Sequence, residues 1–310
     1  MMNFLNGLVP KSLIVGNIVD TLKKDPQTGI IKLFEMTDKF ASGSDYYDVF
    51  EQVKEFYAAS PVAKMYLKNL IYNTNKACLK SLIQNVAIHH LMEGLPKRSL
   101  AKAEGAMIPD AINIHFEADM TKISIADFES SLERAKDLGI HIIVLTGKFN
   151  LKSESFINTC KKHPDILFVP IIHADTITTD ILHNLKDSTH FVPILMIKTL
   201  DRDTLSRLGW LKSSGVLYGT MTSYSEEAQK TSDTDDKFIL DLIRQASRVH
   251  FYLTTDALTQ NVLKEKIDHI RQTRPIPVFH LRSDGRGNLI ATETIEGKVH
   301  DVLILRQTLI

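Results

Sequence analysis

The sequence predicts an α/β protein: a partial (β/α) TIM-like barrel that follows an N-terminal α-helical domain and ends in a C-terminal β-hairpin. Three observations predict this fold class. Apolar residues recur at helical spacing through the first hundred residues. After Pro109, short runs of branched aliphatic residues alternate with amphipathic stretches, which is the pattern of parallel strands joined by helices. Two further strand-like runs flank a turn at Glu296-Gly297. We therefore expect a helical domain over residues 1–107 and a barrel domain over residues 108–310.

The helical domain, residues 1–107, is expected to contain four amphipathic helices, and we call it the leader. Pro10 and Pro61 can open the first and fourth helices, because proline is tolerated in the first turn. Ser44 has the side chain of an N-cap for the third helix. The fourth helix is expected to end where Gly94-Leu95-Pro96 breaks it. Such regular stripes predict a small bundle that packs on the barrel.

The barrel domain is expected to hold seven strands with a helix between each pair. The run at 166–172 is apolar throughout, as expected of a strand buried on both faces. Turn residues at Asp284-Gly285-Arg286-Gly287 then lead into a hairpin formed by residues 288–294 and 299–305. The spacing alone fits an open doubly wound sheet as well as a full or partial barrel. The seven expected strands are 111–116, 140–145, 166–172, 191–197, 216–221, 249–253 and 276–281.

Composition excludes several classes of function. Lysine plus arginine and aspartate plus glutamate both number 37, so the net charge of zero argues against a nucleic-acid partner. No apolar window is long enough to span a membrane, so we expect no membrane partner. Two cysteines, Cys78 and Cys160, are too few for a disulfide scaffold or a four-thiolate zinc site. No secretory signal is recognisable at the N-terminus, and we expect a cytoplasmic protein.

Three stretches of the chain resemble the radical S-adenosylmethionine (radical SAM) superfamily, in particular bacterial members with an N-terminal helical extension. The first is Ile108-Pro109-Asp110-Ala111-Ile112, a strand after a helical segment. The second runs from 123 through 140 to Val144-Leu145-Thr146-Gly147, like the family's first helix and second strand. The third is His163-Pro164-Asp165-Ile166-Leu167-Phe168, followed by Asp175-Thr176-Ile177. The resemblance spans about residues 100–310 and implies a partial barrel of radical-SAM type.

The chain departs from the family at the motif that holds the iron–sulfur cluster. The resemblance implies a Cys-x3-Cys-x2-Cys loop after the first strand, whose three thiolates bind a [4Fe–4S] cluster. This chain instead reads Glu117-Ala118-Asp119-Met120-Thr121-Lys122, which contains no cysteine. A thioether and carboxylates do not replace three thiolates as ligands to iron–sulfur. We therefore expect no cluster, no other cofactor and no catalytic residue of the family's kind.

The positions that contact S-adenosylmethionine (SAM) in the family are altered as well. The family's Gly-Gly-Glu turn, which grips the cofactor's amino group, becomes Gly147-Lys148-Phe149-Asn150. The serine and glutamate of the fourth strand become Met196 and Lys198. Two lysines repel a cationic sulfonium. The resemblance therefore implies the scaffold and argues against the reaction.

Polar residues that follow the expected strands form the candidate binding site. Functional groups of parallel barrels and sheets lie at the carboxyl ends of the strands. In this chain the polar residues at the strand ends favour a pocket in which lysines bind a small anionic ligand. The alternative is that they are simply solvent-exposed loop residues without a ligand. A divalent metal is a weaker hypothesis, because nothing in the spacing fixes a coordination geometry. The candidate ligand-binding residues are Glu117, Asp119, Lys148, His173, Asp175 and Lys198.

One expected strand also carries a polar row. Asn113, His115 and Glu117 lie two residues apart, so they share one face of the first strand. In a barrel that face would point inward, and an inward polar row must be satisfied by partners, water or a ligand.

Three functional hypotheses remain open from the sequence. The first is a non-catalytic relative, or pseudoenzyme, that binds a partner protein, such as an active radical SAM paralogue, or a small anionic ligand. The second is a repurposed, cluster-free enzyme that uses strand-end lysine, histidine and aspartate residues. The third is an adaptor that acts through the leader, which would require an exposed apolar patch on residues 1–100. The missing cysteines favour the first.

Overall fold

The computed structural model describes residues 11–41, 47–106, 108–116, 124–224, 233–245, 247–254, 260–283, 289–295 and 298–309. None of the helices in these ranges combines the length and the apolar character that crossing a membrane requires. The expected helix-opening residues Pro10 and Ser44 lie outside the described residues.

Amphipathic helices build the described part of the leader, as the sequence predicts. Residues with side chains buried at its centre include Val15, Val19, Leu22, Ile30 and Ile71, which come from three different helices. The apolar faces of these three helices are thus buried against one another. The elements are α1 (Lys11–Lys24), α2 (Pro26–Ala41), α3 (Tyr47–Ala59), α4 (Pro61–Asn73), α5 (Lys76–Ile83), a π-helical segment (Gln84–Gly94) and α6 (Leu95–Ala103).

The long fourth helix expected from the sequence is divided at a different place. It ends at Asn73, and a new helix begins at Lys76 because the Asn75 side chain accepts a hydrogen bond from the amide of Cys78 at 2.7 Å. The break expected at Gly94-Leu95-Pro96 is wrong. The π-helical segment runs directly into α6 there, since Pro96 lies in the first turn of α6, where no amide donor is needed.

The barrel domain alternates strands and helices along the chain. Each of the seven parallel strands expected from the sequence is present, with ends shifted by at most three residues. The elements are β1 (Ala111–Phe116), α7 (Ile125–Asp137), β2 (Ile142–Gly147), α8 (Glu154–Lys161), β3 (Leu167–His173), a 3-10 turn (Ala174–Thr176), α9 (Thr179–Asp187), β4 (Ile194–Met196), α10 (Arg202–Ser213), β5 (Gly219–Ser223), α11 (Asp233–Arg244), β6 (His250–Thr254), α12 (Gln260–Thr273), β7 (Val278–Ser283), β8 (Leu289–Ile295) and β9 (Lys298–Leu309).

Strand pairing confirms the partial (β/α) barrel and the C-terminal hairpin. Strands β1 to β7 pair in chain order and in parallel. The hairpin then adds β8 antiparallel to β7 and β9 antiparallel to β8. Strand β9 also pairs in parallel with β1, with Ile114 opposite Gln307, so the hairpin fills the gap and closes the ring. A closed ring leaves no strand edge open to pairing with another chain.

Side chains of the strands alternate between two apolar layers. The outer layer lies between the strands and the surrounding helices and includes Ile114, Leu145 and Leu195, all 0% exposed. The inner layer fills the barrel and includes Val144, Ile194 and Met221, from three different strands. This alternation follows from the period of two in a strand.

The leader packs on the end of the barrel where the strands begin. The amide of Asn75 donates to the carbonyl of Gly215, 2.9 Å away in the turn before β5. Asn85 Nδ2 donates to the carbonyl of Pro164, 3.2 Å away in the turn before β3. Arg98 donates to the carbonyl of Gly139, in the turn before β2. These contacts agree with the expectation that the leader packs on the barrel, while the boundary at residues 107 and 108 stays a prediction.

Candidate functional site

A hydrogen-bonded polar row faces the inside of the barrel. Thr146 Oγ1 donates to Asn113 Oδ1 at 2.8 Å, and His115 Nδ1 lies 2.9 Å from Thr146 Oγ1. Since the hydroxyl proton of Thr146 goes to Asn113, Nδ1 of His115 is the donor in the second bond. Thr146 shares its face of β2 with Val144, which belongs to the inner layer. The inward polar row expected from the sequence is therefore confirmed for Asn113 and His115.

The inner layer around this row is apolar. Val144, Ile194, Met221 and Leu281 are 2–5% exposed. Partly buried side chains from β3, β4 and β6 pack against them, namely Val169, Ile171, Met196, Phe251 and Leu253. The part of the barrel interior bounded by β2–β7 is thus a packed core, as in other small barrels.

The strand-end candidates lie at one end of the barrel without forming a joined group. Lys148, His173, Asp175 and Lys198 are all exposed. In the described part of the chain, no hydrogen bond or ion pair connects any two of them. Glu117 and Asp119 lie outside the described residues. The pocket for an anion at this end therefore stays a prediction.

The backbone conformation of the turn after β2 fixes the position of Lys148. Gly147 has a φ of +88°, and a Cβ at this position would lie 2.2 Å from the carbonyl oxygen of Phe116. The amide of Lys148 donates to that same oxygen at 2.8 Å. Only glycine fits this close approach, so Gly147 fixes the backbone position of Lys148 at the end of β2.

The residues of this chain do not fit an iron–sulfur cluster. Its two cysteines lie in different helices, Cys78 in α5 and Cys160 in α8, and they are 1% and 0% exposed. Burial raises the pKa of both thiols, so both are held in the protonated form. A cluster is bound by thiolates, and neither cysteine can supply one here. We derive no catalytic step through such a cluster.

Metal binding by other side chains gains no support in the described part of the chain. No group of three or more histidine, cysteine, aspartate or glutamate side chains is arranged there to hold an ion. The weaker hypothesis of a metal held by His173 and Asp175 together with Glu117 and Asp119 stays untested, because the last two lie outside the described residues.

Two buried polar groups were missed by sequence reasoning. His250, 0% exposed in the outer layer, has ring nitrogens 3.0 Å from Thr220 Oγ1 and 3.2 Å from Thr222 Oγ1. Burial lowers its pKa to about 3, so it is a neutral, structural histidine. Arg248 lies just before β6 and is 6% exposed. A single arginine before an apolar run matches no sequence motif, so it can be recognised as unusual only from its burial in the folded structure.

Comparison with known proteins gives a similarity of fold. Neither a protein-family model nor a curated protein matches the chain. Among solved structures, it is similar to Streptococcus suis SuiB, with a TM-score of 0.46, 12% identity and 71% of this chain covered. SuiB bound to the precursor peptide SuiA matches with the same TM-score and coverage of this chain at 11% identity. SuiB bound to S-adenosylmethionine matches with a TM-score of 0.46, 13% identity and 81% of this chain covered.

The similarity is limited in extent as well as in degree. The matched part spans 64–65% of the length of the SuiB chains. At these values it bears on neither the family, the activity nor the ligand of this chain.

Proposed function

We propose that the chain is a non-catalytic, radical-SAM-like protein that acts by binding a small anionic ligand. The observation that carries the proposal is the chemistry of the barrel interior. Hydrocarbon side chains fill it along β2–β7, and its polar row is engaged in the bonds among Asn113, Thr146 and His115. Two exposed lysines, Lys148 and Lys198, follow β2 and β4. These cations favour an anion over the cationic cofactor of the family.

The absence of a cluster site leads to a first expected result. Full-length protein incubated anaerobically with iron and sulfide, then desalted, should show no stoichiometric thiolate-to-iron absorption, because both thiols are buried and protonated. A Cys78→Ser variant and a Cys160→Ser variant should give the same spectrum as the wild type. A stoichiometric cluster signal that either variant abolishes would contradict the proposal.

The strand-end lysines lead to a second expected result. Strands β2 and β4 are separated by β3, so their ends lie about 10 Å apart, a distance that an extended polyanion can bridge. We expect Lys148→Met and Lys198→Met each to weaken binding of inorganic tripolyphosphate about tenfold, measured by titration calorimetry. Both lysines are exposed, so thermal stability should change little.

Lys186→Met is a matched control for the two lysine variants, since Lys186 is an exposed lysine on α9, on the outside of the barrel. It should bind tripolyphosphate as the wild type does. If Lys148→Met and Lys198→Met bind normally too, or if both unfold the protein, no anion is held at the strand ends.

A second candidate function, an adaptor that acts through the leader, is favoured by one specific observation. A groove of about 630 Å³ runs between α2, α3 and α4 and is lined largely by apolar side chains, among them Ile30, Ile31, Phe34 and Tyr57. Ile31 is 49% exposed, and Phe56, next to Tyr57 in the chain, is 54% exposed. Exposed apolar surface of this kind can bind a partner protein.

A further inference from the structure

A polar cavity lies at the end of the barrel opposite the strand-end lysines. It has a volume of about 150 Å³ and sits between α4 of the leader, α10 and α11 of the barrel, and the starts of β6 and β7. An apolar cavity of similar volume can hold a molecule as large as benzene, so a small anion fits. The polar lining residues that matter here are Tyr66, Asn69, Asn73, Lys212, Arg244 and Arg248.

Arg248 is the buried charge of this cavity. It is 6% exposed, and its position is fixed because its backbone amide donates to the carbonyl of Tyr218 at 2.9 Å. Two of its side-chain nitrogens, Nε and Nη2, are buried and have no hydrogen-bond partner among the described residues. Buried polar atoms are nearly always paired in folded proteins, so two orphaned donors on one guanidinium need an explanation.

The charged side chains that line the cavity are cationic. Lys212 and Arg244 line it together with Arg248, and no aspartate or glutamate among the described residues does. Arg244 Nη1 is 3.0 Å from Asp241 Oδ1, and Lys212 Nζ donates to the carbonyl of Arg244 at 2.6 Å, so these two cations are held at the rim. The described lining of the cavity is therefore cationic, and of its three cations Arg244 is already paired with a carboxylate, that of Asp241.

The pKa values of Arg248 and of Lys23 are both lowered by burial. Burial lowers the pKa of the Arg248 guanidinium, and the hydroxyls of Tyr218 and Tyr66 oppose this effect. Burial, followed by repulsion from Arg248, lowers the pKa of Lys23. A buried cation without a counter-ion is costly, whereas an anion bound beside it would offset that cost.

We propose that this cavity binds one small phosphate-type oxyanion, held by the guanidinium of Arg248 and by Lys212 and Arg244 at the rim. A guanidinium donates charge-assisted hydrogen bonds to phosphate oxygens, and the amide of Asn69 adds a neutral donor to the wall. The bound anion would lie between the leader and the barrel, since α4 forms one wall and α10 and α11 form the other. It would thus hold the two parts of the chain together. The site is separate from the strand-end site of the proposed function.

Calorimetry and thermal unfolding of the full chain with orthophosphate test the proposal. Wild-type protein should bind one orthophosphate and melt at a higher temperature in its presence. Arg248→Met should lose at least tenfold in affinity and should show no phosphate-dependent rise. Without phosphate, Arg248→Met should melt at or above the wild-type temperature, because replacing an uncompensated buried charge by an apolar side chain of similar volume is neutral or stabilising. Arg134→Met, which removes an exposed cation on α7, should behave as the wild type.

Further variants separate this site from the strand ends. Lys148→Met and Lys198→Met should bind orthophosphate normally, and loss of binding in these variants alone would assign the anion to the strand ends and overturn the proposal. If Arg248→Met does not fold, Arg248→Lys and the double variant Lys212→Met/Arg244→Met should each bind orthophosphate more weakly than the wild type. No effect of about 10 mM orthophosphate on the wild type would also overturn the proposal.

A second ligand distinguishes binding of the free phosphate ion from binding of a phosphate group on a larger molecule. Glycerol 3-phosphate should bind with an affinity close to that of orthophosphate if the cavity takes the phosphate group of a larger molecule. If only orthophosphate binds, the cavity encloses the free ion. Binding of neither ligand would overturn the proposal.

Discussion

Removal of residues 1–93 is expected to leave residues 94–310 aggregated or loosely packed. The deleted helices bond to the turns that precede the strands, as Asn75 does to Gly215 and Asn85 to Pro164. The ring of His89 stacks on that of His141, 5.7 Å away, and His141 is 5% exposed. Without the leader these hydrogen bonds are lost and the buried ring of His141 becomes exposed, so interactions that stabilise the folded barrel are removed.

Size-exclusion chromatography and thermal unfolding followed by circular dichroism measure this effect, with the full chain as the reference. We expect material in the void volume or a broad, non-cooperative transition. If residues 94–310 are instead monomeric and unfold cooperatively, the leader is a separate module. The adaptor function through the groove of the leader then ranks above the pseudoenzyme function.

Gly94→Ala is expected to destabilise the protein by about 3 kcal/mol, because it forces two backbones apart where the leader meets the barrel. A Cβ on Gly94 would lie 2.2 Å from the carbonyl oxygen of Gly139. The approach is mutual, since a Cβ on Gly139 would lie 2.5 Å from the carbonyl oxygen of Gly94. Neither atom is the movable end of a side chain, so the strain must be taken up by a shift of α6 or of the turn before β2. Urea unfolding of both proteins measures the difference.

Gly16→Ala is the matched control for this substitution. Gly16 lies within α1, and a Cβ there meets nothing within 4 Å. Alanine is the better helix former, so this variant should be more stable by about 0.5–1 kcal/mol. A Gly94→Ala variant that is as stable as the wild type would show that the leader and the barrel do not approach as closely as described.

The local pattern of the sequence was sufficient to place the strands. The apolar run at 111–116 is β1 itself, and the runs that became β6 and β7 are displaced by one and two residues. Such runs are informative because a strand of a buried parallel sheet needs apolar side chains at least on the face that packs against the helices, whatever its neighbours are. The absence of a Cys-x3-Cys-x2-Cys motif was equally readable, since it follows from the positions of Cys78 and Cys160 in the chain.

The sequence was less informative wherever a residue's role depends on distant partners. The inward polar row of Asn113 and His115 followed from a period of two, but its partner Thr146 comes from another strand. The strand-end residues Lys148, His173, Asp175 and Lys198 were predicted as a group because they follow neighbouring strands. Position at one end of a barrel does not by itself bring side chains into contact, and in the described chain no hydrogen bond or ion pair joins them.

The sequence by itself therefore determined the β/α alternation, the C-terminal hairpin and the absence of a Cys-x3-Cys-x2-Cys motif. Tertiary structure alone decided that β9 pairs with β1 to close the ring and that the leader covers the end where the strands begin. It also decided that Arg248 is buried in a cavity of cations. The physical reason is the range of the interactions. Propensity and periodicity act between residues a few positions apart, whereas closure, docking and the burial of a charge depend on surfaces contributed by segments far apart in the chain.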